Sequence, residues 1–397
     1  MKPFQICRNW LNMNENIIYL DNAATSFPKP ESVYEAVNRA MREECGNPGR
    51  SGHRLSLAAD RNIREARMLC AKLFGAQSPD NIVFAQNTTE SLNIAIKGLL
   101  SPGDHVITSS LEHNSVSRPL HFLRQSGVEV TKLPVDINHG LNTDDIKKAM
   151  RHNTKLVVCT HISNVTGTVN DISTIGAFCR ENGFAFLVDA AQSAGARHID
   201  VIKMNIDLLA FPGHKGLLGP QGTGGLYIRQ GISLKTIIQG GTGSDSELLE
   251  QPDTMPCKFE SGTLNTPGLS GLAAGIRFIL KHGIEEIERR ESEFINQLTE
   301  GINGIDDIQL IGPVQGCDRG NVISIRIKSI SPANAALMMD SVFNIAVRSG
   351  LHCAADAHRS IGTLESGGTL RISPNYFNTN NNMEQCLNAL SLCAKDF

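Results

Sequence analysis

The sequence predicts an α/β protein: a large domain with a mostly parallel sheet covered by helices, followed by a smaller α+β domain. Three observations lead there. Short apolar runs alternate with stretches of helical spacing between residues 82 and 211, the βαβ rhythm that yields a parallel sheet. The strand-like runs, such as Ile82-Val83-Phe84-Ala85 and Leu156-Val157-Val158-Cys159, lack polar alternation, as strands buried on both faces do. From about residue 275 the chain turns to charged amphipathic spacing and then to an alternating strand. The predicted division is 19–274 for the large domain and 275–397, together with 1–18, for the small one.

In order along the chain, residues 17–20 (IIYL) read as a short strand, closed by a tight loop from Asp21 to Thr25. A proline near its start marks a helix over 30–44. A glycine-rich loop, 46–56, carries His53, a candidate on the substrate side of a site. Leu57, Ala58, Ile63, Ala66, Leu69 and Leu73 recur at helical intervals and predict a helix over 57–74. Strand 82–85 leads through Asn87-Thr88-Thr89 into a helix from Glu90 to Leu100. Threonines at such a junction read either as a plain helix cap or as a cradle for phosphate. Further strands are predicted at 105–109, 128–135, 156–162, 184–189 and 207–211. Helices are predicted at 115–126, 143–151, 171–182 and near 192–204. The stretch 273–302 reads as one or two long charged helices, followed by a strand at 322–327, a helix at 332–343 and a strand at 344–348.

With 397 residues, 41% hydrophobic and 19% charged, the chain can build a sizeable core. A formal net charge of -3 without a basic block points away from nucleic acid. No apolar run is long enough to span a bilayer, and the first sixteen residues lack the pattern of a secretory signal, so a cytoplasmic protein with no membrane partner is expected. The ten cysteines are scattered, and none forms a C-x-x-C pair, so neither a zinc ribbon nor a disulfide framework is expected. Most read as reduced core residues.

In a parallel sheet the carboxyl ends of the strands gather on one side, where ligands bind. The stretch 207–227 (DLLAFPGHKGLLGPQGTGGLY) places His214 and Lys215 just past a strand end, among glycines. Other strand ends carry Thr88 and Thr89, His113, Asn164, and Asp189 with Gln192 behind it. Together they offer a phosphate cradle, a flat aromatic group, an amide, a carboxylate and an amine. Pyridoxal phosphate needs that set: a lysine for the Schiff base, and a carboxylate on the pyridinium nitrogen. A nicotinamide site would need G-x-G-x-x-G opening the first helix, and the glycines at 216–225 do not stand there.

These residues lie in motifs that run the length of the chain: YLDNAATS (19–26), NTTESLN (87–93), EHNS (112–115), SNVTGTV (163–169), VDAAQS (188–193), FPGHKG (211–216), FESGTLNTP (259–267), VRSGLHCA (347–354) and LRISPNYFNT (370–379). In that order they resemble the cysteine desulfurases, class V enzymes of the fold-type I pyridoxal-phosphate group. The resemblance implies the Schiff base on Lys215, the pyridine-nitrogen partner in Asp189, and a ring-stacking, proton-moving His113. It places Gln192 at the ring's phenolic oxygen and Asn164 by that oxygen and the substrate carboxylate. Thr88, Thr89 and His214 would hold the phosphate, and Thr263 would reach the phosphate of a neighbouring subunit, which implies a homodimer. Arg371 matches the arginine that clamps the substrate carboxylate, with Arg348 and His53 as further substrate-side residues. Many relatives have serine where this chain has Pro212, so one phosphate contact is absent or supplied elsewhere.

Cys353 stands in VRSGLHCA, which resembles the R-x-G-x-H-C-A motif of group II cysteine desulfurases, with Leu351 replacing a frequent histidine. Arg348 and His352 beside it are the expected cationic neighbours, which favour a nucleophilic thiolate. The resemblance implies that L-cysteine becomes L-alanine and that Cys353 takes the sulfur as a persulfide for an unidentified acceptor protein. Iron–sulfur cluster assembly, thiolated tRNA and cofactor synthesis are all open as destinations. The competing readings are a selenocysteine lyase acting on L-selenocysteine, a class V aminotransferase, and a non-catalytic persulfide-relay or pyridoxal-phosphate-binding protein.

Overall fold

The computed structural model describes residues 17–49, 52–243 and 247–395. Cys7 and most of the N-terminal segment lie outside the described residues. The described residues open with β1 (Ile18–Tyr19), then α1 (Glu31–Glu43) and α2 (Arg54–Phe74). The alternating unit follows: β2 (Ile82–Ala85), α3 (Thr88–Leu99), β3 (His105–Ser109), α4 (Asn114–Arg124), β4 (Glu129–Leu133), α5 (Thr143–Ala149), β5 (Thr154–Thr160), α6 (Ile172–Asn182), β6 (Ala185–Asp189), β7 (Leu208–Pro212) and β8 (Gly224–Ile228). The remainder is α7 (Thr266–His282), α8 (Ile284–Asn303), β9 (Ile308–Ile311), β10 (Ile323–Ile327), α9 (Pro332–Ser341), β11 (Ile345–Ala346), β12 (Arg348–Gly350), α10 (Ala355–Ser360), β13 (Thr369–Ile372) and α11 (Asn380–Lys395).

Seven strands form the main sheet in the order β2-β8-β7-β6-β5-β3-β4. The run β7-β6-β5-β3-β4 is parallel throughout, while β8 is antiparallel to both of its neighbours. Strands β2, β3, β5, β6 and β7 therefore all point their carboxyl ends to one side. Apolar clusters lie on both faces of this sheet, one including Ile107, Val157, Phe186, Leu209 and Phe211, the other Val106, Leu156, Val158, Leu187 and Leu208. The alternation of numbers between the two clusters is the two-residue period of a strand buried on both sides.

A second sheet, β12-β13-β10-β9, is antiparallel and has its own apolar cluster with α8, α9 and α11. Strand β1 pairs in parallel with β11, so Ile18 and Leu20 belong to that cluster although they lie far from it in sequence.

Two differences from the sequence expectation have physical causes, and a third stretch resolves an open alternative. The stretch near 192–204 is not a helix but a series of turns. Gly195 there adopts φ +84, and a Cβ on it would sit 2.4 Å from the Gly216 carbonyl, so the chain leaves helical geometry to lie against the Lys215 loop. The glycine cluster after Lys215 hides β8: a Cβ on Gly225 would strike the Phe211 ring at 2.5 Å, so glycine there serves close strand packing. The long charged stretch is two helices, broken at Gly283 with φ +86.

Candidate active site

The strand ends converge on a cleft of about 220 Å³ lined by Thr88, Thr89, His113, Asn164, Asp189, Gln192, His214, Lys215, Arg348 and Arg371, with His352 and Ser115 beside them. Two sequence candidates lie elsewhere. His53 is exposed, and its side chain accepts the Ser56 N–H as the N-cap of α2. Thr263 is exposed on a separate cavity of about 480 Å³ that Arg67, Cys257 and Glu260 also line.

The threonines do not cap α3. Asn87 does, its side chain accepting the Glu90 N–H at 3.0 Å. Both threonines therefore stand in the first turn with their hydroxyls released from capping. Thr89 Oγ1 meets Ser115 Oγ at 2.7 Å. Among the described residues Thr88 Oγ1 is buried without a partner, and so is His214 Nδ1 in the same cleft. Two orphaned polar atoms beside a helix N-terminus are groups left for a ligand to satisfy, because buried polar groups otherwise find partners.

Asp189 ends β6 and is 2% exposed. Its Oδ1 accepts the Ala191 N–H at 2.9 Å. Burial pushes its pKa up to about 6, against the pull of that hydrogen bond and of Lys215. Lys215 shows the mirror effect: burial, then Arg371, brings its pKa down to about 8, while Asp189 opposes. An amine so placed loses its proton far more readily than a solvated lysine.

His113 is the N-cap of α4, and its Nδ1 accepts the Ser115 N–H at 3.0 Å. Burial and the charge of Lys215 lower its pKa to about 4, so the ring is neutral near pH 7. With Nδ1 accepting, its proton stands on Nε2. Arg371 is 1% exposed; it donates to Asp21 Oδ1 at 2.8 Å and to the Asn164 carbonyl at 3.2 Å, while its buried Nε has no partner among the described residues. Gln192 is held by the Ala23 carbonyl at 3.1 Å.

The Cys353 loop docks on the rim of this cleft. Asn114 N–H donates to the Cys353 carbonyl at 2.8 Å, and Asn164 Nδ2 donates to the His352 carbonyl at 2.7 Å. His352 and Cys353 take φ of +47 and +57, a left-handed pair that costs energy in non-glycine residues. Cys353 is exposed, and Arg348 Nη2 lies 3.8 Å from its sulfur. His352 is not a cation here. It is 3% exposed, burial and Arg371 lower its pKa to about 2, and its Nε2 pairs with Thr369 Oγ1 at 3.0 Å. Arg348 alone of the two supplies positive charge to the thiol. Five other cysteines, at 70, 159, 179, 386 and 393, are buried.

Sequence reasoning missed Ser115 and Asp21 as site residues. Both stand inside quoted motifs, EHNS and YLDNAATS, but only the fold shows Ser115 joining Thr89 to His113 and Asp21 holding Arg371. It also missed Glu112, buried beside Ser109 and Thr160 N–H, whose pKa burial raises to about 8.

The sheet, the strand-end lysine and its facing carboxylate define a class, and comparison with known proteins agrees. The family Aminotransferase class-V matches residues 18–386, and the chain belongs to it. Within that family it stands with the enzymes called cysteine desulfurases. It is 38% identical over 375 residues to a "Probable cysteine desulfurase" of Methanothermobacter thermautotrophicus, covering 92% of each chain. It is 36% identical to one of Pyrococcus abyssi, covering 98% of this chain and 97% of that one. The apo structure of a cysteine desulfurase from Thermococcus onnurineus superposes with a TM-score of 0.90 at 34% identity, over 96% of this chain and 95% of that one. Among the described residues no helix is long and apolar enough to cross a membrane.

Proposed function

We propose that the enzyme is a pyridoxal-phosphate-dependent cysteine desulfurase that turns L-cysteine into L-alanine and lodges the sulfur on Cys353 as a persulfide. The observation that carries the reading is the convergence of Lys215, Asp189 and the unpartnered Thr88 Oγ1 and His214 Nδ1 on one cleft, with the Cys353 loop on its rim. The fit to the cofactor is chemical. The two orphaned atoms suit a phosphate, and Asp189 suits a ring nitrogen that must stay protonated. Pyridoxal phosphate, when bound, supplies an electron sink for charge developing at the substrate Cα.

The chain's residues divide the remaining work. Lys215, with a pKa near 8, can take a proton from Cα and return it. Neutral His113 offers the proton on Nε2 as a donor. Arg371 presents its free Nε to the substrate carboxylate while Asp21 and the Asn164 carbonyl fix its plane. Arg348 Nη2 stands 3.8 Å from the Cys353 sulfur. The Cys353 thiolate forms a new S–S bond as the substrate Cβ–S bond breaks. The electron pair of the broken bond stays on the carbon fragment, which takes up protons and leaves as alanine.

Thr263 lies on a separate cavity, away from its own chain's cleft, which suits the expected reach into a neighbouring subunit and supports a homodimer. The exposed persulfide then awaits an acceptor protein. The test is Cys353→Ala. It should keep the cofactor's visible absorption and lose alanine formation from L-cysteine. Sustained turnover of L-cysteine by the variant would overturn the assignment, and turnover of L-selenocysteine alone would mark a selenocysteine lyase.

A further inference from the structure

One lysine near the cleft has no role in the reaction just described. Lys29 lies in the loop between β1 and α1 and is half-buried. Its Nζ donates to Ser26 Oγ at 2.8 Å and stands 3.4 Å from the His214 carbonyl oxygen. Among the described residues no carboxylate pairs with it. Burial brings its pKa down to about 8, the response of an ammonium that has lost water without gaining a counter-charge.

The His214 carbonyl does not need Lys29. It already takes the Ser26 N–H at 3.0 Å, with Thr25 Oγ1 at 3.1 Å and Ser26 Oγ at 3.2 Å. A carbonyl has two lone pairs, so the lysine is a surplus donor there. It stands instead behind His214, whose side chain lines the cleft. With Lys215, Lys29 is one of the two cations that, after burial, hold the His214 imidazole near a pKa of 4. His214 and Thr88 both line the cleft, and among the described residues neither His214 Nδ1 nor Thr88 Oγ1 has a partner. Pro212 ends β7 nearby with neither hydroxyl nor N–H to offer an anion.

We propose that Lys29 is the charge-balancing residue for the cofactor's phosphate, acting across His214 from the β1–α1 loop and offsetting the donor that Pro212 cannot provide. It is a positioning residue and not a catalytic one. The inference rests on the reading of pyridoxal phosphate as the cofactor. An unpaired, partly desolvated cation near a dianion contributes on the order of tenfold in affinity.

The experiment compares two ligands on the full-length chain, stripped and reloaded. Pyridoxal phosphate and pyridoxal, which lacks the phosphate, are titrated by visible absorption into wild type, Lys29→Met, Lys29→Gln and Lys29→Arg. Lys29→Met and Lys29→Gln should weaken pyridoxal phosphate about tenfold and leave pyridoxal nearly unchanged, and Lys29→Arg should restore most of the loss. Lys29→Gln keeps a donor for Ser26 and serves alone if Lys29→Met does not fold. Unchanged affinity for pyridoxal phosphate overturns the inference. An equal loss for both ligands also overturns it, because Lys29 then only braces the His214 backbone. A wild-type chain that binds neither ligand overturns the cofactor reading and the inference together, whereas loss confined to the variants leaves that reading standing.

Discussion

Asp189→Asn should stabilise the cofactor-free protein while it weakens the site. Asp189 is 2% exposed, and burial lifts its pKa from 3.8 to about 6. The native state therefore holds that proton more tightly than the unfolded chain does. The stability linked to it is fully present below pH 4 and is lost as the pH rises through about 6. Above that pH the ionised carboxylate costs the apo fold about 3 kcal/mol, from roughly two units at about 1.4 kcal/mol each. Asparagine keeps an oxygen for the Ala191 N–H and removes the charge. Lys215 opposes part of the gain, since the Asp189 charge supports its ammonium. The expected net gain at pH 7.5 is about 1–3 kcal/mol, falling towards zero at pH 4. Urea unfolding of apo wild type and apo variant at the two pH values measures it, and affinity for pyridoxal phosphate should fall in the same variant. A variant no more stable than wild type at pH 7.5, or a gain of equal size at pH 4, would refute the desolvation argument.

Two other substitutions probe neighbouring parts of the argument. Thr88→Val removes a buried hydroxyl that has no protein partner, so apo stability should hold or rise slightly. Affinity for pyridoxal phosphate should drop about tenfold or more, read by absorption titration, because a hydrogen bond to a charged group is lost. Arg67→Met tests the structural side. Arg67 Nη1 and Nη2 grip Glu260 at 2.7 and 2.8 Å with both side chains buried, so removal strands a buried carboxylate at a cost of about 3–5 kcal/mol. The double variant Arg67→Met/Glu260→Gln should recover much of that in denaturant melts, because glutamine can still accept the Phe84 N–H now bound by Glu260.

The parallel strands were legible because their apolar runs are uninterrupted, and their boundaries hold to within a few residues: β2 and β3 span the expected residues, and β7 is shifted by one, to Leu208–Pro212. Glycine misled in two opposite ways. It disguised β8, where close packing against Phe211 demanded it, and at Gly195 it ended a stretch whose side chains alone read as helical. The C-terminal unit was harder. Strand β13 (Thr369–Ile372) is four residues long, and its partners β10 and β12 are distant in sequence, so no local pattern announces it. The site divided similarly. Residue types pointed to Lys215, Asp189 and His113, which do line one cleft, but nothing local showed that Asn87 would take the cap and free both threonines, or that His352 would be buried and neutral beside Cys353.

The titration shifts in the cleft point in one direction. His113, His214 and His352 are all held neutral by burial and by nearby cations, among them Lys215, Arg348, Arg371 and Lys29. Among the described residues Asp21 and Asp189 stand against those cations, and Asp189 is itself pushed towards its neutral form. A fold gains nothing from crowding cations that it leaves uncompensated, since each desolvated charge weakens the native state. The excess has a physical rationale if anions complete the site. A phosphate beside Thr88 and His214 and a carboxylate on Arg371 would supply the missing negative charge at two separate points. Binding of either should then raise the stability of the whole chain, by an amount that grows with ligand concentration. Inorganic phosphate should raise the melting temperature of the wild-type apoprotein and do so less in Thr88→Val. If it raises both equally, the orphaned hydroxyl is not part of an anion site, and the electrostatic argument for the cofactor loses its first support.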